Sequence, residues 1–128
     1  MGTEVKFKLD EFFAALADRT RLRLLNLMRG GEVCVCFFAE TLGTNNPKIS
    51  RHLAYLRRAN LVTARRDGKW MHYSLNPPDH PQGSGLFASL LKTLESDKEM
   101  QADLTSLDNV CCSPRNQFVT ITGQARER

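Results

Sequence analysis

The chain has 128 residues, 41% of them apolar and 25% charged, which fits one globular domain and leaves little room for a two-domain enzyme. No apolar run approaches the ~18 residues of a membrane-spanning helix, and MGTEVKFKLDEFF lacks the apolar stretch and small-residue cleavage site of an export signal, so a cytoplasmic protein without membrane contact is expected. The net charge is +4, yet residues 44–75 carry seven basic residues against Asp67 alone, a local +6. So basic a third of the chain points to a polyanion partner, because each Lys or Arg placed on a phosphate gains from counterion release. A solvated charged face is the alternative reading.

The first helical signal is the stripe Leu9, Phe12, Phe13 and Leu16. Asp18 offers an N-cap for a second, largely buried helix from Arg19 to Arg29, with Gly30-Gly31 as its stop. A third helix is expected from about Val33 to Leu42, ending at Gly43 and carrying Cys34 and Cys36 in its first turn. Residues i and i+2 on a regular helix point roughly 200° apart at ~3.6 residues per turn, so joint ligation of one ion by this pair would have to unwind that turn.

Thr44-Asn45-Asn46 is a capping turn, and Pro47 suits the start of the next helix. Within KISRHLAYLRRAN, Ile49, Leu53 and Leu56 form the packing face, while Lys48, Ser50, Arg51, His52, Arg57 and Arg58 occupy the other sides. Two helices joined by a short turn, the second of them basic, make a helix-turn-helix pattern. Leu61 to Arg66 and Lys69 to Leu75 then flank Asp67-Gly68, a hairpin signal. A basic hairpin directly behind a helix-turn-helix reads as the wing of a winged helix, with Arg65, Arg66 and Lys69 at its tip.

Asn76 to Gly85, with three prolines and two glycines, reads as a loop without core residues. Leu86, Phe87, Leu90, Leu91 and Leu94 mark one last helix, to about Leu104, whose stripe a single small domain would bury poorly; pairing it with Phe12 and Phe13 of a second copy gives a homodimer. The domain is thus expected over residues 1–108, followed by a mobile tail, 109–128, that holds Cys111 and Cys112. With no export signal, the four cysteines are expected to be thiols, and neighbours so close bridge each other poorly, which favours binding of a soft ion.

ALADRTRLRLLNLM, EVCVC, NPKISRHLAYLRRANLV and RRDGKWMHYSL resemble successive segments of the ArsR/SmtB family of metal-sensing repressors, over about residues 9 to 75. The Cys-x-Cys pair makes the chain most similar to the arsenical-responsive members. The resemblance implies a mainly α winged helix-turn-helix, of about five helices plus a β-hairpin wing. It further implies a homodimer that binds double-stranded operator DNA when ligand-free and leaves it when As(III) or Sb(III) is bound. The ligand set would be Cys34 and Cys36, with Cys111 or Cys112 as a third thiolate, since Phe37 and Ala39 stand where relatives have Asp and, in some, a third Cys. The DNA-binding set is Asn45, Asn46, Lys48, Ser50, Arg51, His52, Arg57, Arg65, Arg66 and Lys69.

Cd(II), Pb(II) and a methylated arsenical are alternative inducers, the last suited to a two-thiolate site at Cys111-Cys112. His52 is expected on DNA rather than on a metal, His72 and Trp70 in wing packing, and His80 in a loop without a partner. No nucleophile motif, orienting group or phosphate-cradling glycine loop is present, so an enzyme is not expected. A thiol redox or metal-buffering protein is the remaining alternative, and the basic helix and hairpin argue against it.

Overall fold

The computed structural model describes residues 7–111. The order is α1 (Leu9–Leu16), α2 (Arg19–Leu27), β1 (Val33–Cys34), α3 (Val35–Leu42), α4 (Asn46–Arg58), β2 (Val62–Asp67), β3 (Trp70–Leu75), α5 (Pro81–Leu94) and α6 (Lys98–Cys111). This is a winged helix-turn-helix, with six helices rather than about five and a three-stranded antiparallel sheet of order β1-β3-β2 rather than a bare hairpin.

Local chemistry sets the helix boundaries. Asp18 accepts a hydrogen bond from the Arg21 amide (3.1 Å) and starts α2, and Asn45 does the same for α4 with the Lys48 amide (3.0 Å). Each side chain satisfies an amide that has no partner inside its helix. Pro47 is the second residue of α4, where its missing N–H costs nothing. Gly43 ends α3 at φ 68°, a left-handed geometry that a side chain would strain.

The hydrophobic core joins all these elements. Leu24, Leu25 and Leu27 of α2 meet Phe37 and Phe38 of α3, Ile49, Leu53 and Leu56 of α4, Leu61 and Val62, then Phe87 of α5 and Leu107 of α6. Each such side chain contributes roughly 1.5–3 kcal/mol relative to exposure. The α4 packing face is the one its periodicity predicts, and this fixes which sides of α4 remain outside.

Four boundaries differ from expectation. The third helix begins at Val35, because Val33 and Cys34 form β1, paired with Tyr73 and His72 of β3. The hairpin loop is Gly68-Lys69, one residue later than Asp67-Gly68, because Asp67 pairs with Trp70; Gly68 takes φ 67° there. The segment read as a loop to Gly85 turns helical at Pro81. His80 is the N-cap, its Nδ1 accepting from the Gly83 amide (3.1 Å), and Gly83 is buried where a Cβ would meet Phe7 and Pro78. The expected last helix is two, divided at Asp97, whose carboxylate accepts from the amides of Glu99 and Met100.

Two further expectations shift with these. Phe87 and Leu94 are buried within their own chain, while Leu9 (53%), Phe13 (50%) and Leu86 (38%) remain exposed. Helix α6 runs past Asp108 to Cys111, so the expected tail boundary falls inside a helix, with Val110 against the core.

Helix α6 is fastened to α2 by polar contacts. Arg23 donates through Nε and Nη2 to both carboxylate oxygens of Asp103 (2.8 and 2.9 Å), and buried Asn26 donates to the Met100 carbonyl (2.9 Å). Asp103 is 5% exposed and Arg23 is half-buried. Replacing Asp103 by Ala removes the bidentate partner and leaves Arg23 only Glu99, 3.5 Å away, with an expected loss of about 1–2 kcal/mol in urea unfolding, below the ~3–5 of a fully buried pair. Arg19→Ala, which removes exposed ion pairs to Asp97 and Glu99, is expected to lower the midpoint less than the Asp103 substitution does.

Candidate thiol site and nucleic-acid interface

Cys34 ends β1 and is the N-cap of α3, with extended backbone (φ −70°, ψ 138°), and Cys36 lies in the first turn. A strand-to-helix change therefore occurs between the two thiols. It removes the divergence that a continuous helix would impose. The Cys36 thiol donates to Cys34 Sγ at 3.1 Å, so the pair is already convergent without unwinding any turn. Cys34 is buried and Cys36 is half-buried.

Donation from Cys36 favours the Cys34 thiolate and lowers its pKa to about 7, against the opposing effects of burial and of the Glu32 carboxylate. The same hydrogen bond, with burial, pushes the Cys36 pKa up. One anionic sulfur beside one proton-bearing sulfur is a donor set suited to a soft, thiophilic ion. Among the described residues, no three His, Cys, Asp or Glu side chains gather in a metal-binding arrangement. Cys111 closes α6, but its side chain and all of Cys112 lie outside the described residues. Phe37 belongs to the core and Ala39 packs against it.

The expected DNA-binding residues fall into two groups. Asn45, Asn46, Lys48, Ser50, Arg51 and Arg57 are exposed on α4 and its approach, and Arg66 and Lys69 are exposed at the hairpin end. Among the described residues, Lys48, Arg51, Arg57, Arg58, Arg66 and Lys69 have no carboxylate within ion-pair distance, whereas Arg19, Arg23, Arg29 and Arg65 do. The Arg65 guanidinium, expected at the tip, instead reaches across β3 toward the start of β1, donating through Nε and Nη2 to both oxygens of Glu32 (2.9 and 2.7 Å).

His52 turns toward α2 and not outward. Its Nδ1 is 3.4 Å from Arg21 Nη1 and 3.8 Å from Asp18 Oδ1. Arg21 stacks 4.0 Å above the Tyr55 ring and donates to the Ala15 carbonyl (2.8 Å), which ties the end of α1 to α4. A cleft of about 190 Å³ opens beside this network, lined by Thr20, Arg23, Leu42, Thr44, Lys48, Arg51 and His52.

His72 faces Cys34 and Arg65 across the sheet, 4.0 Å from the Asp67 carboxylate. His80 has partners after all, capping α5 and stacking on Phe7 at 4.9 Å between ring centroids. Trp70 is 41% exposed at the hairpin end with Lys69 Nζ 5.9 Å from its ring, so it is not a packed wing residue. Sequence reading missed Glu32 and Arg21, because their partners lie 33 and 31 or more positions away in some contacts. Only the acid that opens EVCVC and the Asp-x-x-Arg spacing hinted at them.

The family profile described as bacterial regulatory protein, arsR family, matches residues 18–64, from the N-cap of α2 into β2. The arsenic resistance transcriptional regulator ArsR2 of Pseudomonas putida is 38% identical over 113 residues, covering 80% of this chain and 96% of that protein. The chain belongs to the arsR family. A second relative, the arsenical resistance operon repressor of Escherichia coli, is 48% identical over 68 residues, 52% of this chain and 58% of that one. The chain spans little more than half the length of some curated relatives it matches. A solved structure described as a possible transcriptional regulator for arsenical resistance is similar with a TM-score of 0.54 at 36% identity, covering 70% of this chain and 97% of that one. No helix among the described residues is long and apolar enough to cross a membrane.

Because Cys36 donates to Cys34, thiolate absorbance at 240 nm in a Cys111→Ser, Cys112→Ser background is expected to rise with a midpoint near 7, well below an ordinary thiol. Cys36→Ala removes the thiol donor, the largest cause of the lowering, while burial, Glu32 and the backbone amide of residue 36 remain, and the midpoint is expected to move up. A midpoint that stays near 7 in that variant contradicts the assigned cause.

Proposed function

We propose that this arsR-family protein is a metalloid-responsive transcriptional repressor. As a homodimer it binds operator DNA through α4 and the hairpin wing, and it dissociates when As(III) or Sb(III) is bound by Cys34, Cys36 and a third thiolate from Cys111 or Cys112. The observation that carries this reading is the convergent thiol pair, 3.1 Å apart, at the junction between the wing sheet and the helix preceding α4. The names of the two relatives, an arsenic resistance regulator and an arsenical resistance repressor, support the choice of inducer. The exposed Leu9, Phe13 and Leu86 support a second copy as the cover of that apolar surface.

On DNA, the exposed face of α4 offers Lys48, Ser50 and Arg51 to the major groove, and Arg66 and Lys69 reach the backbone or minor groove beside it. These cations have no competing carboxylate among the described residues, so counterion release is available to each of them. The reading belongs to the cytoplasm, where thiols stay reduced.

Fluorescence anisotropy on operator DNA, with and without arsenite, tests the reading. Cys34→Ser and Cys36→Ser are each expected to keep ligand-free operator binding and to abolish release, because the thiols act only in the liganded state. Release that survives both substitutions moves the sensory site elsewhere. Ser50→Ala is expected to change sequence preference, whereas Arg66→Ala or Lys69→Ala weakens all sequences alike and lowers the salt dependence.

Ligand counting gives a second test. Inorganic trivalent arsenic takes three thiolates, and the described residues bring two together. Truncation after Val110 is therefore expected to weaken the arsenite and antimonite responses at least tenfold, ~1.4 kcal/mol of binding free energy. If truncation spares arsenite and removes only a methylarsenite response, Cys111 and Cys112 form a separate two-thiolate site.

A further inference from the structure

The sheet register places the thiol pair within reach of the wing. Cys34 pairs with His72 across β1 and β3, and His72 pairs with Arg65 across β3 and β2, so the three residues share one face of the sheet. Two positions before Cys34, Glu32 receives both guanidinium hydrogen bonds of Arg65, at 2.9 and 2.7 Å. A bidentate pair of this kind fixes the relative orientation of two planar groups as well as their separation.

The thiol pair is held from both sides, by a helix on one and a strand on the other. After Cys36, Phe37 and Phe38 are 2% and 0% exposed and anchor α3 in the core. Before Cys34, β1 is two residues long, with Val33 0% exposed, and the chain ahead of it runs through Glu32 from Gly30-Gly31, Gly31 lying at φ 131°. An atom bonded to both sulfurs takes the Cys36 proton's place and replaces a hydrogen bond by two covalent bonds to one centre. Any displacement of Cys34 that results is carried along β1 to Glu32, two residues away.

We propose that Glu32 is a positioning residue that couples the thiol pair to the wing: a ligand on Cys34 and Cys36 shifts β1, and the Glu32–Arg65 pair transmits the shift to β2 and the hairpin. The proposal rests on the thiol pair being the sensory site. It places the conformational response in the wing, and helix α3 is not required to unwind. His72, between Cys34 and Arg65 and 4.0 Å from Asp67, lies on the same route.

Trp70 is the chain's one tryptophan, and it stands on the wing opposite Asp67. Its emission therefore reports the wing without DNA. The probe is phenylarsine oxide on the reduced full chain carrying Cys111→Ser and Cys112→Ser. Two As–S bonds form, the As–O bond is lost, and the oxygen leaves as water with the two thiol protons. Loss of two titratable thiols per chain measures binding independently of fluorescence.

Stoichiometric binding is expected to change Trp70 emission, and Glu32→Gln is expected to retain binding while losing most of that change. The swapped pair Glu32→Arg, Arg65→Glu is expected to restore it, which separates coupling from a general loss of fold. A silent Trp70 at full thiol occupancy overturns the proposal, as does an undiminished response in Glu32→Gln. A Trp70 response that Glu32→Gln abolishes, in a chain whose operator binding ignores arsenite, leaves the coupling standing and removes the repressor reading alone. Failure of phenylarsine oxide to bind the pair overturns both.

Discussion

The pairing of Val33 and Cys34 with Tyr73 and His72 is the constraint on which the site depends. Two residues of strand are too few to stand alone, and their backbone groups are satisfied only by joining the hairpin. Once joined, the chain must turn from strand to helix between Cys34 and Cys36, since Phe37 and Phe38 have to enter the core. The convergence of the thiols follows from that turn. So does their chemistry, because Cys34, the N-cap of α3, makes no capping bond and its sulfur accepts the Cys36 proton instead.

One covalent segment thereby serves three neighbours. Its strand half extends the wing sheet, its helix half supports α4 across the Gly43 turn, and Glu32 just before it holds Arg65. On the opposite side, Arg21 links α1, Tyr55 and His52, so α4 is gripped from α2 as well. Helix α6 closes the arrangement through Arg23–Asp103 and Asn26–Met100, and its last residue is a cysteine. Thiols and recognition surface are therefore parts of one packed unit, not modules joined by a linker.

Most of this architecture was legible where the pattern repeats over many residues. Ile49, Leu53 and Leu56 announce the buried face of α4, Asp18 and Asn45 the caps of α2 and α4, and Asp67-Gly68 between two strand-forming runs the hairpin. The rest depended on partners distant in sequence or on segments too short to show a period. A two-residue strand has no alternation to read, so β1 was absorbed into α3 and the thiol geometry came out divergent. Pro81, Gly83 and Gly85 read as a loop by composition, although His80 and Pro81 are a cap and a first turn. Asp97 broke the last helix through its side chain, within a stripe that looked continuous. Arg65 seemed a free tip cation because Glu32 lies 33 positions away. For the thiols beyond Val110 the sequence supplied only their number and order.

The ion pairs of α2 have an effect that reaches beyond stability. Arg19, Arg23 and Arg29 are matched to Asp97, Glu99, Asp103 and Glu95, so the acids of the α5–α6 region are consumed by cations beside them. The largest group of cations without a carboxylate among the described residues sits on α4 and the end of the hairpin. With +6 in residues 44–75 and +4 overall, the remainder is net negative, so the molecule is electrically lopsided, and a polyanion tens of ångströms away exerts a torque on it as well as an attraction. Rotation toward the correct face precedes contact, and this orienting effect fades once the screening length falls below the size of the domain.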